Sequence, residues 1–273
     1  MRIDLLLFPI TYYLLAGLGV NLGYHRVLSH RSLQIPRWLE RSLITLGLPA
    51  GTPIQWAGNH RFHHANADTP EDPHSPQHRG FWYAHTGWYL GTLAVAPAIL
   101  YALAGPLRTI FDAFWRPRTN QEHHNLTRDV SADSYYRWLS RPCPYAVVLL
   151  LLHVVVPASI AWHFWHAAGL ATFWFTLVVL YNLGDAIDSV AHTFGDLLPQ
   201  ARDQSRNSAI LGLLILGEGW HANHHRVPWR ARHGIGPRQF DWTWQVIRLL
   251  RVLGVAQNVH VATPTDLADR SRL

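Results

Sequence analysis

Two triplets of histidine stand out in this chain because they repeat one spacing. His60, His63 and His64 lie at i, i+3 and i+4, and His221, His224 and His225 repeat that pattern. On a helix those positions share one face, so each triplet can aim three imidazoles at one point. With 19 histidines in 273 residues the pattern is expected by chance only about 0.1 times, so two copies point to a purpose. We read the triplets as two halves of one metal site.

Three further histidines belong with them. His25 and His30 are five apart, roughly 140° around an α-helix, and converge only if the helix ends or bends between them. The segment from Arg31 to Pro36 permits that. His192 has Asp188 four residues before it, on the same helical face. The candidates are then His25, His30, His60, His63, His64, His192, His221, His224 and His225. Neutral imidazole suits iron, zinc, copper and nickel, and this many is too many for one ion but right for two with open positions. The single cysteine, Cys143, excludes an intramolecular disulfide and a thiolate-rich site. Soluble di-iron bundles use paired Glu-x-x-His motifs on helices, and no pair of that helical-bundle kind stands out here, although Glu218 and His221 have the spacing. A histidine-only two-metal site beside a membrane suggests oxygen activation on a lipid-like substrate. Of the remaining histidines, His74, His78 and His85 are candidates to support the ligands from behind. His153, His163 and His166 are expected to be structural, and His123 and His124 solvated.

These residues need elements to carry them, and the composition says which kind. Hydrophobic residues are 49% and charged residues 15%, against roughly 25% charged in an average soluble domain. That deficit points to a membrane. No polar linker divides the chain, so residues 1–273 are expected to form a single domain. The net charge of +6 comes wholly from arginine, since no lysine is present. The arginines sit in short loops beside apolar runs, which suits a cytoplasmic membrane face and argues against nucleic acid.

Leu5 to Tyr24 is uncharged and long enough to cross a hydrocarbon core of roughly 30 Å. A cleaved signal peptide is disfavoured, because the run ends in Tyr24, His25 and Arg26 without a small-residue cleavage site. Leu39 to Ala57 is broken by Gly47, Pro49, Gly51 and Pro53, which predicts a re-entrant or interfacial piece. Arg108 to Arg141 is polar and arginine-rich and is expected at the cytoplasmic surface. Tyr145 to Ala168 and a helix from Leu170 predict a hairpin around an Ala167–Leu170 turn, with Trp162, Trp165 and Trp174 as an aromatic belt. An even number of crossings must separate His64 from His221 if all the histidines meet. The hairpin supplies two, so Trp88 to Leu107 is expected to dip into the membrane without crossing it. Near the end, Trp242, Val246, Leu249, Leu250 and Leu253 form a stripe opposite Asp241, Arg248 and Arg251, which predicts an amphipathic surface helix.

The motifs carry a resemblance. Gly23-Tyr-His-Arg-Val-Leu-Ser-His-Arg31, Trp56-Ala-Gly-Asn-His-Arg-Phe-His-His64, Asp72-Pro-His-Ser75, Asp188-Ser-Val-Ala-His192 and Gly217-Glu-Gly-Trp-His-Ala-Asn-His-His225 stand in this order. Together with Arg79-Gly-Phe-Trp-Tyr-Ala-His-Thr-Gly-Trp88 and Arg230-Ala-Arg-His-Gly234, they resemble the membrane-bound fatty acyl desaturases. The likeness is to the bacterial Δ9 acyl-lipid and acyl-CoA type and covers nearly the whole chain from Gly19. It implies an all-α integral membrane protein, with a stem of spanning helices and a cytoplasmic cap of His-bearing helices. It further implies two iron ions (Fe2+) held by the histidines named above, with O2 as co-substrate. The implied reaction places a cis double bond, with Δ9 the expected position, in a saturated fatty acyl chain carried as acyl-lipid, acyl-CoA or acyl-ACP. Electrons would come from a separate ferredoxin, rubredoxin or cytochrome b5-like donor. The implied location is a bacterial inner membrane, crossed several times, with the site facing the cytoplasm. Trp56 is expected to line a bent acyl tunnel.

Three features depart from that pattern. Asp188 stands where the family's Asn-Ser-x-x-His motif has asparagine, so it either ligates metal directly or holds a metal-bound water. A spanning helix that usually precedes the first histidine motif is expected to be missing, leaving three crossings and an external N-terminus. Phosphate contacts fall to arginine alone. A hydroxylase or acetylenase on the same scaffold, and a non-catalytic metal- or haem-binding membrane subunit, stay open as alternatives.

Overall fold

Two helical runs are long and apolar enough to cross a bilayer. Ile3–Ser29 has 27 residues and Pro142–His192 has 51, and an 18-residue window within each reaches a mean hydropathy of 1.7 and 2.1 respectively. A straight helix of the second length would extend about 75 Å, more than twice the hydrocarbon core, so it has to fold back. It does so at His166, whose φ of 48° and ψ of −132° break the helix into two.

The computed structural model describes residues 3–122, 124–261 and 265–266. Its main helices are α1 (Ile3–Ser29), α2 (Arg37–Leu46), α3 (Pro53–Asn66), α4 (Tyr83–Leu90), α5 (Val95–Leu103) and α6 (Pro106–Trp115). They are followed by α7 (142–165), α8 (167–192), α9 (Ala209–Leu214), α10 (His221–Arg226) and α11 (Trp242–Val252). Between α8 and α9 a short antiparallel ribbon pairs Asp196–Leu197 with Arg206–Asn207. His123 lies outside the described residues.

The predicted hairpin is α7 and α8, with its break one residue before the expected turn. It packs along α1: Trp165 donates to Asp4 at 3.1 Å near the turn. One side of Tyr12 meets His153 of α7, 2.9 Å from hydroxyl to Nδ1, and its ring meets Phe173 of α8 at 5.7 Å. The start of α1 therefore sits by the hairpin turn. Its other end, carrying His25 and His30, lies with the open ends of the hairpin. His153 is structural, as expected, while Trp162 and Trp174 are exposed near the turn.

The breakers between Leu39 and Ala57 turn the chain sharply. α2 lies against α1 so closely that a Cβ on Gly19 would come 2.5 Å from the amide nitrogen of Gly47. Gly51, at φ 131°, then leads into Thr52, which caps α3 by accepting from the Gln55 amide at 3.1 Å. Tyr24 of α1 and Tyr145 of α7 bond the carbonyls of Gly51 and Leu48 at 2.8 and 3.1 Å, which fixes this turn. Downstream, α4 and α5 meet at a 92° bend, so Trp88 to Leu107 holds no straight spanning helix.

One expectation needs refining. Arg108 to Arg141 was expected at the cytoplasmic surface, yet at its start Arg108 is 1% exposed and its guanidinium bonds Asp185 of α8 at 2.5 and 3.0 Å. Asp112 and Arg116 are buried with it, while Leu107, Phe111 and Phe114 of the same helix face outward. Next to lipid the apolar face of a helix points out and its charges point in, which inverts the reading suited to water. α11 is an amphipathic helix at the surface: Trp242, Leu249 and Leu253 of the expected stripe are exposed, while Val246 and Leu250 turn toward the core, where Trp244 and Ile247 pack with Leu22, Val27 and Leu43.

Candidate metal centre

His25 and His30 meet because α1 widens. From Gly19 to Ser29 it is wound as a π-helix, and the His30 amide bonds the His25 carbonyl five residues back at 3.1 Å. Five-residue hydrogen bonds place residues five apart nearly on one face, and the two rings sit 5.0 Å apart. The sequence allowed convergence if the helix bent or ended. Widening achieves it with the helix intact. Arg61 of α3 then bonds the Leu28 and Ser29 carbonyls, both at 3.0 Å, at this helix end.

The histidines gather into two groups, and each triplet contributes to both. His25, His30, His60, His64 and His224 form one, and His63, His192, His221 and His225 form the other; within a group the nitrogens lie within 4.8 Å of one another. α3 thus sends His60 and His64 to the first group and His63 to the second. α10 sends His224 to the first and His221 and His225 to the second. Asn223 holds α10 in place by bonding Asn207 and the His233 carbonyl, both at 2.8 Å.

Four carboxylates set the ring orientations. Glu218 meets His25 Nδ1 at 2.7 Å, Asp72 meets His63 at 3.0 Å, Asp68 meets His192 at 2.8 Å and Asp203 meets His225 at 2.9 Å. A neutral imidazole that donates its Nδ1 proton to a carboxylate turns a bare lone pair outward at Nε2. His63 and His225 both do so, and their Nε2 atoms face each other at 3.3 Å. His25 and His224 face at 2.9 Å, and His192 and His221 at 3.0 Å, again through Nε2. Two bare lone pairs as close as those of His63 and His225 repel unless a cation lies between them, and the Nδ1 atoms of His221 and His224, buried without a hydrogen-bond partner, leave their Nε2 atoms equally placed to bind one. Nitrogens bound at about 2.1 Å to one ion and at right angles to one another lie about 3.0 Å apart. The donor set therefore fits a pair of metal ions.

The electrostatics agree. Burial, then repulsion by neighbouring imidazoles, pushes His64, His221 and His224 well below the usual histidine value. For Asp203, burial opposes ionisation, but the hydrogen bond and charge of His225 outweigh it and hold the carboxyl low. Neutral imidazoles backed by ionised carboxylates are the protonation states that bind metal.

A cavity of about 140 Å³ reaches both groups. Ala16, Gly17, Leu180 and Ile215 supply apolar wall, and His25, His60 and His221 lie at its metal end. Trp56 lines it as well and stacks on His60, ring centres 4.8 Å apart and 15° from parallel. Asp188 lines the same cavity but belongs to neither nitrogen group; its carboxylate lies 3.9 Å from Nδ1 of His74, an imidazole that burial holds below its usual value.

Compared with known proteins, residues 4–248 match the sequence profile described as fatty acid desaturase. The chain belongs to the fatty acid desaturase family. An sn-1 stearoyl-lipid 9-desaturase of Anabaena variabilis is 33% identical over 93% of this chain and 82% of its own length. One of the same name from Synechocystis is 31% identical over 96% of the chain and 73% of its own. An acyl-CoA 5-desaturase of Anemone leveillei is 34% identical, with the same coverage of both chains. This chain is thus a fatty acyl desaturase, an enzyme of lipid metabolism with spanning helices and histidine clusters able to hold metal.

In this desaturase the sequence reading brought all of its candidate histidines together but missed most of what orients them. Asp68 and Asp203 carried no motif that marked them, because their partners are 124 and 22 residues away. Glu218 was weighed only for its spacing to His221. It instead bonds His25 and, at 2.7 Å, Arg26. His233 was quoted in a motif without a role, and lies buried with its ring 4.5 Å from His224. Of the histidines expected behind the ligands, His74 lies beside His63 with ring centres 4.4 Å apart, whereas His85 bonds Ser189 at 2.8 Å and Asn182 at 3.1 Å, neither of them a candidate ligand. His78 bonds a backbone carbonyl at an exposed position.

Proposed function

We propose that this desaturase holds two iron ions and uses O2 and two electrons to place a cis double bond at Δ9 of a saturated acyl chain. The observation that carries the reading is the pair of nitrogen groups with Nε2 lone pairs facing inward beside a cavity. His25, His30, His60, His64 and His224 would hold one ion, and His63, His192, His221 and His225 the other. Bound there, the iron pair supplies the O2-driven oxidation of unactivated C–H bonds. Removing one hydrogen from each of two adjacent methylenes, with two electrons and two protons added, reduces O2 to two waters.

The protein's share is register and dryness. The acyl chain would enter the cavity past Trp56, whose ring is braced by His60 and by Tyr24 at 5.5 Å, so that contact with the walls sets which carbon pair reaches the metal end. The apolar lining excludes water that would quench the oxidant. Asp188, at the cavity wall, is assigned to accept a hydrogen bond or proton at its carboxylate rather than to ligate, since it lies outside both nitrogen groups. The enzyme would sit in a bacterial inner membrane as a single domain with this end cytoplasmic, drawing electrons from a separate ferredoxin, rubredoxin or cytochrome b5-like protein.

Acyl-lipid and Δ9 are favoured because the Anabaena relative, a stearoyl-lipid 9-desaturase, is matched over 82% of its length. Purified enzyme given O2, a reducing system and deuterated stearoyl lipid in vesicles should yield a cis alkene that has lost one deuterium from each of two neighbouring carbons. A hydroxylated product would assign the scaffold to hydroxylation instead, and a double bond elsewhere would overturn the Δ9 assignment alone.

A further inference from the structure

The carboxylates behind the histidines are distributed unevenly. Three of them, Asp72, Asp68 and Asp203, serve His63, His192 and His225, all in one nitrogen group. The other group has one, Glu218 on His25, and that carboxylate is shared with the guanidinium of Arg26 at 2.7 Å and with His233 at 3.3 Å.

Their surroundings differ too. Asp68 accepts from the Gln204 amide at 2.7 Å and the Ser75 hydroxyl at 2.8 Å, Asp72 from the Asp68 amide at 2.8 Å, and Asp203 from the Ser205 amide at 2.9 Å. These are neutral donors, and among the described residues no arginine pairs with any of the three. In the first group Arg26 stands behind Glu218 and is held on its other side by Asp241 at 3.1 Å, while Arg61, which bonds the Leu28 and Ser29 carbonyls just before His30, is paired with Asp129 at 2.7 Å, so no further carboxylate reaches an imidazole of this group among the described residues.

A carboxylate accepting the Nδ1 proton makes the opposite nitrogen a stronger donor, and its uncompensated charge attracts a cation through a low-dielectric interior. Three such partners act on the second position and a half-neutralised one on the first. We propose that the two metal positions are inequivalent: the one formed by His63, His192, His221 and His225 fills first and binds more tightly. Asp68, Asp72 and Asp203 are its positioning residues. The proposal rests on the two-metal reading above and adds an order to it.

Cobalt(II) titration of chelator-stripped protein in detergent, followed by visible absorption and elemental analysis, tests this without turnover. The wild type should take up two ions in separate steps. His225→Ala should lose the tight step and keep the weak one, and His30→Ala should do the reverse. Asp203→Asn should weaken the tight step by about 10- to 100-fold while the weak step stays, and Asp203→Glu should recover part of the loss. Two ions bound with equal affinity, or a tight step lost in His30→Ala and kept in His225→Ala, would overturn the proposed order while leaving a two-metal centre. A wild type that binds no cobalt would overturn the metal reading itself. Should Asp203→Asn fail to fold by circular dichroism, the comparison of the two histidine variants still decides the order.

Discussion

His225 shows how one residue couples the centre to the stability of the chain. Burial pushes its imidazole, and that of His233, down to about 4, although Asp203 and Glu218 respectively pull the other way. In the unfolded chain both return to about 6.5. Between those values the unfolded state binds more protons than the folded one, so stability falls as pH falls through that window. Thermal unfolding of chelator-stripped protein in detergent should therefore shift to lower temperature between about pH 6.5 and pH 4. A midpoint that stays level there would mean these imidazoles are protonated in the folded state. The ligand candidates were legible because histidine is rare and their spacing repeats. Their carboxylates were not, since an aspartate in a loop looks the same whether it meets solvent or a histidine far away in sequence. Asp188 is a separate case: its departure from the family motif was visible, but its place on the cavity wall, outside both nitrogen groups, required coordinates.

Among the elements, the π-wound end of α1 and its contact with α2 place His25 and His30. A Cβ on Gly47 would lie 2.4 Å from the ring of Tyr24, one residue before His25. Gly47→Ala should push Tyr24 and the wide turns away, costing about 1–3 kcal/mol as overpacking does and loosening bound metal. Thermal unfolding and elemental analysis of the variant check both, and a variant with wild-type stability would show that α2 shifts freely. The hairpin was legible from length and hydropathy, because an apolar run far longer than a bilayer has to turn. The widened helix was not, because no residue type specifies π winding. That Val246 and Leu250 of the α11 stripe turn to the core while Trp242, Leu249 and Leu253 stay at the surface depends on the packing of Leu22, Val27 and Leu43, which the stripe alone does not specify.

At the scale of the whole molecule, the charges of α6 show what lipid changes. Arg108 is enclosed by Asp185 and by the rings of Tyr101 and Tyr181, 4.4 and 4.2 Å from its guanidinium carbon. Arg108→Leu would strand the Asp185 carboxylate and should cost about 3–5 kcal/mol, whereas changing Arg108 and Asp185 together to apolar residues should recover most of it. Thermal unfolding of the three variants checks this double-mutant cycle. The sequence marked this segment as polar and arginine-rich, but that Arg108, Asp112 and Arg116 are buried together depends on the fold. What the whole arrangement is for can be asked of a living membrane: gas chromatography with double-bond localisation on lipids from a desaturase-deficient host expressing the wild type, His64→Ala or His225→Ala. We predict a new cis double bond between carbons 9 and 10 with the wild type and none with either variant. Unchanged lipids with the wild type, or the same new product from all three proteins, would contradict the account.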